Sequence, residues 1–258
     1  MKLHRRPAEQ IAGRPRPWAI FERVARDNLQ RLTTALDLLT ERKAMKAGWY
    51  QGEINLVLGD ARQLEWSGAL ASTLVTSPPY GDNTTTVPYG QHAFLPLQWI
   101  DLRDIDSRAD AECLRSTSYE IDRRSLGGSK RITASDVETL SRKSSSLRPV
   151  LEQLSLHERS DRLKRVVAFM RDLDEAIGRV LPALEASGTA AWTVGSRRVG
   201  GKLIPLEQVI VDLAKPHGCA HVNTLRRDIP GHRKRMASRN GSGATMSREH
   251  VVVLRRCA

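Results

Sequence analysis

Apolar residues at Ile20, Val24, Leu29, Leu32, Leu36 and Leu39 recur at helical spacing and predict one amphipathic helix over residues 18–46, closed by Gly48. The pattern then changes. Residues 54–58, Ile-Asn-Leu-Val-Leu, form a compact apolar run stopped by Gly59-Asp60, which reads as a buried strand with an acidic residue just past its carboxyl end. Residues 62–70 make a short crossover to a second strand over residues 73–76, which stops at Ser77-Pro78-Pro79-Tyr80. Helical spacing returns over residues 158–184, with Leu163, Val166, Val167, Met170, Leu173, Ile177 and Leu181 on one side. Three further strands are expected, over residues 188–194, 220–224 and 250–254, with a helix opened by Pro205 running to about Ala214. Strands alternating with helices imply an α/β core whose ligands sit at the carboxyl ends of strands.

Two stretches stand apart from this alternation. Residues 1–17 are basic, hold Pro7, Pro15 and Pro17, and read as a flexible arm. Residues 109–157 are dense in Ser, Arg and Thr and read as an excursion from the core rather than part of its sheet. The core is thus expected in two parts, residues 18–108 and 158–258.

Charge narrows the partners. Lys and Arg number 41 against 29 Asp and Glu, a formal net charge of +12, which favours a polyanion through release of its condensed counterions. Three cysteines, Cys113, Cys219 and Cys257, follow no metal-ligand spacing, and the simple reading is free thiols in a reducing, cytoplasmic compartment. No apolar run is long enough to span a bilayer, so no membrane partner is expected. The histidines His92, His217, His221, His232 and His250 share no ligand spacing with cysteines or carboxylates, so no metal is expected.

The segment Thr76-Ser77-Pro78-Pro79-Tyr80 lies where an α/β core places its ligands. The Ser77 hydroxyl and the Pro78 carbonyl are two acceptors for the hydrogens of an exocyclic base amine. Such an amine is a weak nucleophile because its lone pair is delocalised, and accepting both hydrogens lets the nitrogen become tetrahedral. Two consecutive prolines fix φ and hold the acceptors in place. Tyr80 offers a flat face for a base swung out of a duplex. A Pro-Pro pair after a strand is by itself most often only a rigid turn; the flanking Ser, Tyr and preceding Gly59-Asp60 carry the functional reading.

On these residues the chain resembles the amino-group DNA methyltransferases of bacterial restriction-modification systems, over residues 54–108 and 188–256. The Ser-Pro-Pro-Tyr form points to the N4-cytosine type more than to the N6-adenine type. The resemblance implies a Rossmann-like core using S-adenosyl-L-methionine, with Ser77, Pro78, Pro79 and Tyr80 catalytic and Gly59, Asp60 and Thr76 at the cofactor. It also implies an active-site loop over residues 81–91, in which Asp82 and Asn83 are expected to touch a flipped base in double-stranded DNA or else to guide the loop or cap a turn, and Tyr89 to stack or else to pack. Segments 194–205, 228–236 and 246–250 match the family as well.

One family feature is missing. No glycine-rich turn of the kind that holds the cofactor's methionine end precedes residue 54, so the core is expected to be incomplete, with its first strands absent. The expectation is a split enzyme whose second subunit carries that turn. A catalytically inactive nucleic-acid-binding subunit is the main alternative, and RNA methylation a third. Residues 109–157, with Arg123 and Arg124, are expected to recognise the target, or else to form a solvated loop. Arg233, Lys234 and Arg235 are expected on the DNA backbone.

Overall fold

The computed structural model describes residues 17–80, 89–108, 110–129, 131–155, 160–195, 197–229 and 248–257. The chain divides into two units, Met1–Val57 and Leu58–Ala258.

In the first unit, α1 (Pro17–Glu41) is shorter than its apolar periodicity predicts. Lys43 adopts a left-handed φ of 56°, and the Ala44 N–H returns to the Leu39 carbonyl at 2.8 Å, which closes the helix before Lys46. Gly48 does different work from ending it. With Ala47 at φ 50° and Gly48 at φ 82°, it makes the two-residue turn between β1 (Met45–Lys46) and β2 (Trp49–Tyr50). Positive φ at both positions matches the twist of a tight hairpin. The strand expected over residues 54–58 forms no ladder among the described residues, and Ile54, Leu56 and Val57 are all exposed. An apolar run supplies side chains for a strand but not the neighbouring edge that would make it one.

The second unit is built on a four-stranded sheet in the order β3 (Ala71–Thr76), β4 (Leu184–Gly195), β8 (Arg248–Arg256), β7 (Cys219–Asp228). Only β3 and β4 run parallel; β8 is antiparallel to both its neighbours, so the sheet is mixed. Between these strands lie α2 (Tyr89–Trp99), α3 (Ala111–Ser116), α4 (Ser118–Arg124), α5 (Ala134–Lys143), α6 (Arg148–Ser155), α7 (Ser160–Val180) and α8 (Leu206–Ala214). A small hairpin, β5 (Arg197–Val199) and β6 (Lys202–Ile204), turns on Gly200 and Gly201.

The core forms where α7 meets the sheet. Val166, Val167, Met170, Leu173 and Ile177 on α7 are buried, against Ala190, Trp192 and Val194 of β4 and Val252 and Leu254 of β8. Each fully buried side chain of this size stabilises the fold by roughly 1.5–3 kcal/mol. The alternation on β4 puts its even-numbered residues on this face, as a strand's period of two requires. Trp192 sits there, buried, whereas Trp99 at the end of α2 is 88 % exposed.

Residues 109–157 depart most from the sequence reading. Residues 134–155 form two helices and the turn between them and contribute Leu140, Leu147, Val150, Leu151 and Leu154 to the core, so this part is not an excursion. A capping box between Thr133 and Asp136 starts α5. Asp212 on α8 holds the α5–α6 connection, accepting from the Ser144 hydroxyl at 2.9 Å and the Ser146 N–H at 3.1 Å. Burial opposes ionisation of Asp212, but these hydrogen bonds and that of Lys215 outweigh it and hold the carboxyl below its ordinary value. Among the described residues, no helix is long and apolar enough to cross a membrane.

Candidate active site

The parallel pair β3–β4 fixes the site, since its register sets Thr76 beside Trp192 and carries both strands toward the same edge. Ser77, Pro78, Pro79 and Tyr80 leave β3 there. Ser77 is exposed, Pro78 is buried, and Pro79 and Tyr80 are half-buried. Pro78 and Pro79 form part of the wall of an open cleft of about 750 Å³. Gly59, Asp60, Thr76 and Arg124 line the same cleft, so with Pro78 and Pro79 the structure brings together six of the residues singled out from sequence. Ser77 and Tyr80 stand outside its lining. The floor is apolar, from Leu74, Leu173, Ala176 and Val180. Trp192 also lines it, and its buried indole Nε1 has no hydrogen-bond partner among the described residues.

Asp60 is not an open carboxylate. It caps the turn Ala61–Gln63, accepting from the Arg62 N–H at 2.9 Å, and takes the Arg62 guanidinium at 2.9 Å on Oδ1 and 2.5 Å on Oδ2. The Arg62 hydrogen bonds hold its carboxyl below the ordinary range despite partial burial. Arg62 also donates to Asp172 on α7 at 2.9 Å and to the Arg124 carbonyl at 3.1 Å.

Tyr80 packs against the core with its ring, and its hydroxyl donates to Glu249 Oε1 on β8 at 3.1 Å. The other Glu249 oxygen pairs with Arg227 on β7, its cross-strand neighbour. Sequence reasoning assigned Glu249 no role, because 169 residues separate it from Tyr80.

The basic side chains expected at DNA are engaged locally where they are described. Arg123 and Arg124 both pair with Glu120, at 2.6 and 2.8 Å, and Arg124 reaches Asp110 at 3.8 Å. Asp82, Asn83, Arg233, Lys234 and Arg235 lie outside the described residues, as does the side chain of Tyr89, whose backbone begins α2. No group of three or more His, Cys, Asp or Glu poised for a metal occurs among the described residues.

Comparison with known proteins finds relatives of the chain as a whole. The chain is 32 % identical over 201 residues to the type II methyltransferase M.MvaI of Kocuria varians, a match covering 74 % of the chain and 41 % of that protein. The similarity is to a methyltransferase. The chain therefore spans well under half the length of the curated relative it matches. No family model matches the sequence. Among solved structures, TTHA0409 of Thermus thermophilus, assigned as a DNA modification methylase, aligns at 16 % identity and a TM-score of 0.36, covering 79 % of this chain and 54 % of that one. Its complex with S-adenosyl-L-methionine aligns at 20 % identity and a TM-score of 0.29, covering 37 % of this chain and 40 % of that one. Neither structural likeness is close enough to assign a function.

Proposed function

We propose that this chain is the target-amine half of an S-adenosyl-L-methionine-dependent DNA methyltransferase of a restriction-modification system, acting on N4 of cytosine in preference to N6 of adenine. One observation carries the reading. Ser77-Pro78-Pro79-Tyr80 leaves the carboxyl edge of a parallel strand pair with its prolines on a cleft wall and its tyrosine anchored. The similarity to M.MvaI supports it.

In this reading the Ser77 hydroxyl and the Pro78 carbonyl accept the two hydrogens of the target amine, which keeps electron density on its nitrogen. The rigid Pro78-Pro79 backbone holds those acceptors without reorganisation as charge develops. Tyr80 stacks on a base swung out of the duplex. The cofactor, when bound, supplies an electrophilic methyl on sulfur. The apolar floor, the unpaired Trp192 N–H and Thr76 fit the adenosine part of that cofactor. Asp60 fits less well than its position in sequence implies, because its carboxylate is largely spent on Arg62. The methylated nitrogen loses its proton to solvent after attack, so no carboxylate base is needed.

The same proposal includes a second subunit carrying the glycine-rich turn for the cofactor's methionine end. Supporting it, one edge of β3 is unpaired among the described residues, and Val75 on that strand is 75 % exposed. A parallel strand added there would cover an edge that soluble proteins generally protect. Calorimetry of the purified chain with S-adenosylmethionine tests this: affinity in the micromolar range without any partner overturns the split. Nucleosides from DNA of cells expressing the chain with its neighbouring genes, resolved by mass, distinguish cytosine from adenine. Unchanged methylation on Ser77→Ala overturns the catalytic assignment. The net charge of +12 favours a second reading, a DNA-binding subunit without catalysis, which requires that same unchanged methylation.

A further inference from the structure

We infer that Glu249 is a positioning residue that sets the Tyr80 ring for stacking on the target base, an inference that rests on the proposed role of Ser77–Tyr80. The Pro78 and Pro79 rings fix the backbone leading to Tyr80 but leave the tyrosine side-chain torsions free. Contacts on the ring and on the hydroxyl bear on them. The ring lies against the core, and the hydroxyl donates to Glu249 Oε1 at 3.1 Å.

Glu249 is itself held by the sheet. Its register on β8 places it opposite Gly195 of β4 and opposite Arg227 of β7. Gly195 brings no side chain to that position, while Arg227 pairs with the carboxylate oxygen that Tyr80 does not use. The Glu249 side chain is 14 % exposed against 72 % for Arg227, so the ion pair has one sheltered and one solvated end. A carboxylate so placed is a fixed acceptor, and a hydrogen bond to a charged acceptor is stronger than a neutral one. The chain thus ties the loop after its second-unit parallel pair to the antiparallel side of the same sheet. Ring orientation becomes a property of the sheet's register rather than of the loop.

The test uses the full chain with 3-fluorotyrosine at its four tyrosines and reads them by fluorine NMR, with Tyr80→Phe assigning the Tyr80 resonance. Glu249→Ala is expected to shift that resonance, whereas Glu249→Gln, which keeps an oxygen acceptor, returns it close to its original position. In the assembled methylating enzyme, Glu249→Ala and Tyr80→Phe are each expected to lower kcat about tenfold, with KM for S-adenosylmethionine unchanged. The double variant should be no slower than either single one. A Tyr80 resonance unmoved in Glu249→Ala overturns the inference, as does a double variant whose losses multiply. Ser77→Ala separates the two levels. Full methylation by that variant overturns the underlying assignment, while the Tyr80–Glu249 contact seen by NMR stands or falls independently. Should Glu249→Ala fail to fold, Glu249→Met, which fills a similar volume without an oxygen acceptor, takes its place in both readouts.

Discussion

Arg62 and Asp172, 110 residues apart in the chain, meet in an ion pair of 2.9 Å whose carboxylate side chain is only 1 % exposed. Asp172 also accepts the Gly127 N–H at 2.8 Å and the Arg171 guanidinium at 3.0 Å. One carboxylate therefore joins the turn after Asp60, the segment after α4, and α7. Removing it leaves the buried Gly127 N–H without this acceptor and takes one carboxylate from each of two guanidinium groups, although Arg62 keeps Asp60 and Arg171 keeps Asp136. That is a larger effect than losing an exposed pair. Asp172→Ala is expected to lower stability by about 3 kcal/mol, toward the lower end for buried pairs because Arg62 retains some solvent. Urea unfolding measures this, and a loss below about 1 kcal/mol would show that the three segments hold together without it.

Gly127 is placed by the same carboxylate and has no room for a side chain. Its φ is 75°, and a Cβ there would stand 2.9 Å from the Phe169 Cβ and 3.1 Å from the Phe169 Cα. Phe169 is fully buried, so it has nowhere to retreat. Gly127→Ala combines a left-handed backbone penalty with overpacking and should destabilise by about 2–4 kcal/mol. Thermal melts are the direct check: an unchanged melting temperature would mean that the backbone relaxes at this position.

The elements that sequence made legible are those whose periodicity and neighbours agree. α7 was readable because its apolar positions recur at helical spacing and all face one core. The cores of β3, β4 and β8 were readable from short apolar runs bounded by turn residues. Residues 54–58 have the same signal and form no ladder among the described residues, since whether a strand forms depends on an available edge. Residues 134–155 were misread for the opposite reason. Their Ser and Arg content argued for a loop, although Thr133 and Asp136 spell a capping box, and Leu140, Leu147, Leu151 and Leu154 mark a buried face. At the site, Gly59, Asp60, Thr76, Pro78 and Pro79 converge on the cleft from two segments close in sequence. Glu249 was illegible because strand order, not local pattern, brings it to Tyr80.

Asp106 gives the fold an acid-sensitive clasp. It accepts from the Arg108 side chain at 3.0 Å, from the Arg108 N–H at 3.0 Å and from the Leu58 N–H at 3.3 Å. The Arg108 side chain first, then these backbone donors, lower its pKa to about 2. An unfolded aspartate titrates near 3.9, so the folded chain binds this proton less readily than the unfolded one. The stability from Asp106 is therefore complete above about pH 5 and lost as pH falls through about 4 toward 2. Asp106→Asn should unfold more readily than the original chain at pH 6, with the difference shrinking by pH 2.5. Urea midpoints at the two pH values decide it, and a gap of equal size at both would rule out the carboxylate as its source.

Pro78 tests whether rigidity at the strand's edge matters beyond the identity of the acceptors. Pro78→Ala retains the carbonyl that is proposed to accept from the target amine, and retains Ser77 before it. What changes is the φ constraint and the buried ring on the cleft wall. If the acceptors act through being held in place, kcat should fall about tenfold while binding of S-adenosylmethionine weakens less, because looser groups must be ordered again in each turnover. Ser77→Ala, which deletes an acceptor outright, should lower kcat by about 10²-fold at an unaltered melting temperature, as expected for an exposed side chain. Initial rates of both variants, measured with thermal melts on the same samples, separate the two contributions. Equal losses from both substitutions, with Pro78→Ala still folded, would place the hydroxyl and the proline in one step; a Pro78→Ala enzyme of full rate would show that the segment needs its acceptors but not its stiffness.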